Sequence, residues 1–109
     1  MRRLCCLMLM LVLLLALLCC CQKRPEDLTV VVKVGGEVYA RLPLDEDTEL
    51  EIFGIGGTNH LVIRGGAAYI SRADCKNQVC VRTGAIDSDS MLGMITCLPH
   101  EVVVFLEQR

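Results

Sequence analysis

Three cysteines in the carboxyl-terminal half of the chain are the residues best suited to chemistry. Four residues separate Cys75 from Cys80, and Cys97 follows after a further 16 residues, at the start of a short run that ends at His100. Thiols at such spacings form disulfides, bind metal ions or act as nucleophiles. The compartment in which the protein works and the fold that positions the sulfurs decide among these chemistries.

The first interpretation is a disulfide between two of the three residues Cys75, Cys80 and Cys97, because thiols outside the cytoplasm tend to oxidise. The sequence does not select the pair, since bridging depends on Cα separation and side-chain direction. The second interpretation is a metal site in which Cys75, Cys80, Cys97 and His100 form a Cys3His set, which suits tetrahedral zinc. A Rieske iron–sulfur site would need a histidine where Arg82 stands.

The third interpretation is a nucleophilic cysteine. It would need a base, His60 or His100, within hydrogen-bond reach. The sequence has no Ser/His/Asp constellation and no nucleophile elbow. We therefore predict that the protein is not an enzyme and has neither catalytic residues nor a cofactor.

The amino-terminal segment predicts where these cysteines work. Arg2 and Arg3 precede 18 consecutive apolar residues, Leu4 to Cys21, which is typical of a hydrophobic helix that serves as an export signal or a membrane anchor. Residues 1–21 are therefore predicted to be a signal peptide or a single membrane anchor, with residues 22–27 as a linker. The segment also resembles a bacterial lipoprotein signal, with Cys19, Cys20 and Cys21 as lipidation candidates. The domain is expected on the extracytoplasmic side of a bacterial cell membrane.

Residues 28–109 have the length of one small domain. Residues 22–109 contain nine Lys and Arg residues and 13 Asp and Glu residues, and the chain has no tryptophan. An acidic surface without basic stacking platforms argues against nucleic-acid binding.

Seven short runs in this region have the composition and alternation of β-strands. Gly35-Gly36 and Gly65-Gly66 separate pairs of such runs and predict hairpins. Between Asp74 and Thr83 the alternation is absent, and a helical turn fits there. The expected fold is all-β, a small antiparallel β-sandwich or barrel of about seven short strands behind the hydrophobic helix.

The cysteine-bearing segments carry a family resemblance. Cys75-x4-Cys80-Val81-x2-Gly84, followed by Cys97-Leu98-Pro99-His100, resembles the signature of the NusG domain II-like family. The resemblance extends from about Leu28 to Arg109. It implies a small β-rich domain standing alone behind one membrane segment, as in Gram-positive bacteria. A role in transcription is not implied, because the other domains of an elongation factor do not accompany it here.

Two functions follow as expectations. The first is a non-enzymatic, membrane-tethered interaction module that binds another envelope protein. The alternative is a cysteine-based redox or metal-binding module in envelope electron transfer.

Overall fold

A computed structural model describes residues 1–19, 27–90 and 93–109. These residues form two helices and eight strands, in the order α1 Arg2–Cys19, β1 Leu28–Val34, β2 Glu37–Pro43, β3 Thr48–Gly54, β4 Gly57–Arg64, β5 Ala67–Ala73, α2 Val79–Arg82, β6 Ile86–Asp87, β7 Met94–Cys97 and β8 Val102–Gln108.

The first antiparallel sheet has the strand order β2-β1-β8-β7. A tight turn joins β1 to β2, and Gly35 and Gly36 in this turn have φ values of 60° and 85°. Positive φ at both central residues is the requirement of a type I′ hairpin turn, which explains the Gly-Gly pair. On its other side β1 pairs with β8 over seven residues, from Leu28 opposite Gln108 to Val34 opposite Val102.

The second antiparallel sheet has the strand order β3-β4-β5-β6. Gly65 and Gly66 join β4 to β5 and again have positive φ, 58° and 76°. The glycine-containing turn at 55–56 joins β3 to β4. The last strand, β6, is only two residues long and pairs with the start of β5.

Both sheets contribute to one apolar core. Alternate residues of β1 and β8, among them Val30, Val32 and Val104, are buried together with Ile52 and Leu61 of the second sheet. The alternation places one face of each strand in this core and the other toward solvent. Burial of these aliphatic side chains is the main stabilising term for so small a domain.

The sequence predicts an all-β sandwich or barrel; the structure is mostly β, with two antiparallel sheets, and it corrects two details of the prediction. The described residues form eight strands rather than about seven, because the two-residue strand β6 is too short to produce an alternating pattern. They form two open four-stranded sheets rather than a closed barrel. The helical turn expected between Asp74 and Thr83 is present as α2.

Helix α1 contributes nothing to this core. Its large apolar side chains from Leu4 to Leu18 are all more than half exposed. Within residues 1–19, 27–90 and 93–109, no helix combines the length and the apolarity needed to cross a membrane.

Three turns meet at one end of the domain, and we call this surface the turn end: residues 35–36, 55–56 and 98–101. The backbone N–H of Gly35 donates to the carbonyl of Glu101 at 2.9 Å, and that of Ile55 donates to the carbonyl of His100 at 2.9 Å. Gly54 permits this close approach, because a Cβ there would lie 2.8 Å from the His100 carbonyl oxygen.

Candidate functional site

The three predicted cysteines converge on one buried position. Cys75 follows β5, Cys80 lies in α2, and Cys97 ends β7. Their Sγ atoms all lie within 4.8 Å of one another, and those of Cys75 and Cys80 are 3.8 Å apart. We call these three residues the thiol cluster. All three are free thiols and are at most 5% exposed.

Gln78 shapes the loop that brings Cys75 back toward Cys80. Its backbone is left-handed, with φ of 55°, and it precedes the first residue of α2. Its side-chain Nε2 donates to the carbonyls of Ala73 at 2.7 Å and Cys75 at 2.5 Å. The amide thus closes the loop on itself and fixes the backbone of Cys75.

His100 lies beside the thiol cluster rather than in it. Its Nδ1 is 2.8 Å from Oδ1 of Asn59, and the Nδ2 of Asn59 donates to Sγ of Cys80 at 3.4 Å. The other ring nitrogen, Nε2, is 3.2 Å from Oδ1 of Asp74. Because Asn59 directs its N–H toward sulfur, its oxygen faces the ring, and Nδ1 of His100 must be the donor. Asn59 therefore links the imidazole to the cluster.

The surroundings shift the pKa values of the neighbouring thiols Cys75 and Cys80 in opposite directions. Burial opposes ionisation of Cys75, but the backbone N–H of Gln78 and the thiols of Cys97 and Cys80 hold its pKa below the ordinary value of 9.0. Burial raises the pKa of Cys80 to about 12, and interactions with Cys75 and Cys97 add to this increase. Of the two thiols, Cys75 therefore ionises more readily than Cys80.

The other histidine is placed elsewhere. His60 lies on the strand face opposite to its neighbour Asn59, and its Nδ1 is 2.8 Å from Oε2 of Glu51. It pairs with acidic side chains of β3 and does not belong to the cluster. The lipidation candidates Cys20 and Cys21 lie outside the described residues, as does the side chain of Cys19.

Sequence reasoning missed the polar residues that support the cluster, namely Asn59, Asp74 and Gln78. A signal for Asn59 was present in β4. Asn59, Leu61 and Ile63 alternate on the buried face of this strand, and Asn59 is 0% exposed. A polar residue at an inward position of an apolar strand must find hydrogen-bond partners inside the core.

The fold and the cluster together define a small two-sheet β domain with three converging thiols, which follows an amino-terminal helix. The sequence matches the NusG domain II family over residues 4–109, and the chain belongs to this family. The expected family resemblance is thus confirmed.

Solved structures agree with this assignment. A DUF1312 family protein of Ruminococcus gnavus is 40% identical, with a TM-score of 0.65 over 73% of this chain and 97% of its own. A DUF1312 family protein of Enterococcus faecalis is 25% identical, with a TM-score of 0.67 over 74% of this chain and 97% of its own. The Lin0431 protein of Listeria innocua is 24% identical, with a TM-score of 0.67 over 76% of this chain and 98% of its own. At this identity the similarity supports the fold alone. Among curated proteins there is no match.

Proposed function

We propose that the protein is a non-enzymatic interaction domain on the outer face of a bacterial cell membrane, attached by its amino-terminal segment and docked through the turn end onto another envelope protein. The observation that carries this proposal is the exposure of large apolar side chains at the turn end. Leu98 is 78% exposed and Ile55 52%, and Phe53, which lies in β3 two residues before Ile55, is 66% exposed. Ile55 and Leu98 lie on turns that are hydrogen bonded to each other, and exposed apolar side chains grouped on one surface are characteristic of protein interaction sites.

The rigidity of the turn end supports a docking role. The turns that carry Ile55 and Leu98 are hydrogen bonded through the His100 carbonyl. The hydroxyl of Tyr39 also accepts a hydrogen bond from the backbone N–H of Phe53 at 3.4 Å, which ties β2 to β3 beside this surface. A preorganised apolar surface loses little conformational entropy when a partner covers it.

The charge of the domain supports a protein as the partner, and the amino-terminal sequence supports docking at the membrane. The excess of acidic over basic residues beyond the leader disfavours phosphate backbones as partners. Arg2 and Arg3 ahead of an apolar run favour export or membrane attachment. A domain held at the membrane gains effective concentration toward a partner in the same membrane, so a small docking surface suffices.

Site-specific photo-crosslinking in intact cells tests this proposal. A photoreactive residue replaces Leu98 at the turn end or, as the matched control, Met94, which is 55% exposed and lies at the far end of β7. We expect one discrete crosslinked envelope protein from position 98 and none from position 94. Substitution Phe53→Glu in the same chain should abolish the adduct. Equal crosslinking from both positions, or none from position 98, would contradict the proposal.

The second candidate function is a cysteine-based module in envelope electron transfer. The convergence of three thiols favours it, since an interaction surface has no need of them. In cells that reduce ferricyanide at their surface, replacing the parent chain with its Cys75→Ser variant should then lower the rate of ferricyanide reduction. The crosslinked adduct at position 98 should be unchanged. An undiminished rate of reduction would remove this candidate.

A further inference from the structure

We propose that the thiol cluster is a three-coordinate site for one thiophilic metal ion, and that Cu(I) is the ion that fits it. The inference rests on the geometry of Cys75, Cys80 and Cys97 and stands whether or not the turn end binds a partner.

The sulfur positions match such a site. A metal–sulfur bond of about 2.3 Å in a planar three-coordinate arrangement places the sulfur atoms about 4 Å apart. The Sγ atoms of Cys75 and Cys80 are 3.8 Å apart, and all three lie within 4.8 Å of one another. Closing the ligand set around one ion therefore requires sulfur movements below about 1 Å.

The number of ligands favours Cu(I) over zinc. Structural zinc sites are almost always four-coordinate, and the nearest imidazole, that of His100, has its Nδ1 hydrogen bonded to Asn59 and its Nε2 3.2 Å from the carboxylate of Asp74. The polar groups that reach the sulfurs are amide N–H donors from Asn59 and Gln78, which do not bind cations. Three soft sulfur donors without a fourth ligand suit a soft monovalent ion.

The surroundings are those of a metal–thiolate site. N–H donors to ligand sulfur atoms orient the sulfurs and stabilise their negative charge. The side chain of Asn59 donates to Cys80 at 3.4 Å, and Nε2 of Gln78 lies 3.8 Å from Sγ of Cys75. Each thiol that binds the ion releases its proton to solvent. A bound ion would also keep three adjacent thiols from pairing as a disulfide in an oxidising compartment.

The test uses the full-length chain with the leader cysteines replaced by serine, at positions 5, 6, 19, 20 and 21, so that only the thiol cluster remains. The reduced protein is titrated anaerobically with Cu(I) against a bathocuproine chelator. We expect one Cu(I) per chain, with three sulfur neighbours by X-ray absorption. Cys97→Ser should abolish this binding, and Asn59→Ala should weaken it by roughly 10- to 100-fold as a supporting residue.

His100→Gln separates the proposed site from a Cys3His site. The proposal predicts one Cu(I) per chain and three sulfur neighbours in this variant, whereas a Cys3His site would lose a ligand. Circular dichroism shows whether each variant is folded. The X-ray absorption spectrum of the unsubstituted cluster gives the number of sulfur neighbours even if a variant does not fold.

Three results would overturn the proposal. The first is the absence of copper binding by the reduced cluster. The second is retention of copper after Cys97→Ser. The third is a disulfide within the thiol cluster and no bound metal, seen by intact mass in protein isolated anaerobically from copper-supplied cells.

Discussion

Replacing Asn59 with alanine should destabilise the domain far more than the loss of one surface polar group. The side chain is 0% exposed and bridges His100 to Cys80, with contacts of 2.8 Å and 3.4 Å. Asn59→Ala removes both contacts and leaves Nδ1 of His100 buried without a partner. A stranded buried donor costs about 1–3 kcal/mol, and the weaker contact to sulfur adds less. We therefore expect a loss of about 2–4 kcal/mol.

This loss is large on the scale of a small domain. Total stabilities of native proteins are about 5–15 kcal/mol, and 1 kcal/mol shifts Tm by about 4–8 °C at this size. The metal-free Asn59→Ala chain should melt roughly 10–25 °C below the parent, as followed by circular dichroism in the presence of a chelator. Tyr39→Phe is the control, because it removes an exposed hydroxyl with hydrogen bonds of 3.4 Å. Its effect should stay within about 0.5 kcal/mol.

A double-mutant cycle identifies the cause. His100→Ala should cost less in the Asn59→Ala background than in the parent, because the shared hydrogen bond is already lost there. Purely additive effects, or a Tm decrease for Asn59→Ala below about 4 °C, would refute the reasoning that Asn59 links the imidazole to the thiol cluster.

Three further predictions concern stability. Gly57→Ala should cost about 1–3 kcal/mol by urea unfolding, because a Cβ there would overlap the side chain of His100; unchanged stability would contradict the packing. Arg41→Ala should change stability by less than about 1 kcal/mol, since its ion pair with Glu107 is exposed; a larger loss would show that this pair matters more than its exposure implies. Because the pKa of Cys80 is raised, the folded chain holds a proton that the unfolded chain releases, and the stability of the metal-free protein should fall as pH rises from about 9 toward 12. In Cys80→Ala this alkaline decrease should be smaller. An equal decrease would contradict the raised pKa of Cys80.

The local parts of the fold were predictable from the sequence. Gly-Gly pairs between alternating runs located the hairpins β1–β2 and β4–β5, because only glycine readily takes the positive φ that these turns require. Pairing between distant segments was not predictable. The ladder between β1 and β8 joins Leu28 to Gln108, and alternation indicates which face of a strand is buried but not which strand lies beside it. The two-residue strand β6 carries no pattern at all.

The cysteines of the candidate site were predictable from the sequence, but the residues that support them were not. The spacing of Cys75, Cys80 and Cys97 identified the residues that meet. The position of His100 was not predictable, because three residues after a cysteine in a turn the side chain can point toward the thiol cluster or away from it. Its partner Asn59 lies 41 residues earlier, and only the arrangement of the two sheets brings them together.

The central claim, that this domain works outside the cytoplasm, is tested most directly by reporters fused after Arg109. Alkaline phosphatase folds and acts only when exported, whereas green fluorescent protein carried by a general export signal fluoresces only when it stays inside. Our proposal predicts an active phosphatase fusion and a dark fluorescent fusion, with both patterns lost when residues 2–21 are deleted. A bright fluorescent fusion with an inactive phosphatase fusion would contradict it.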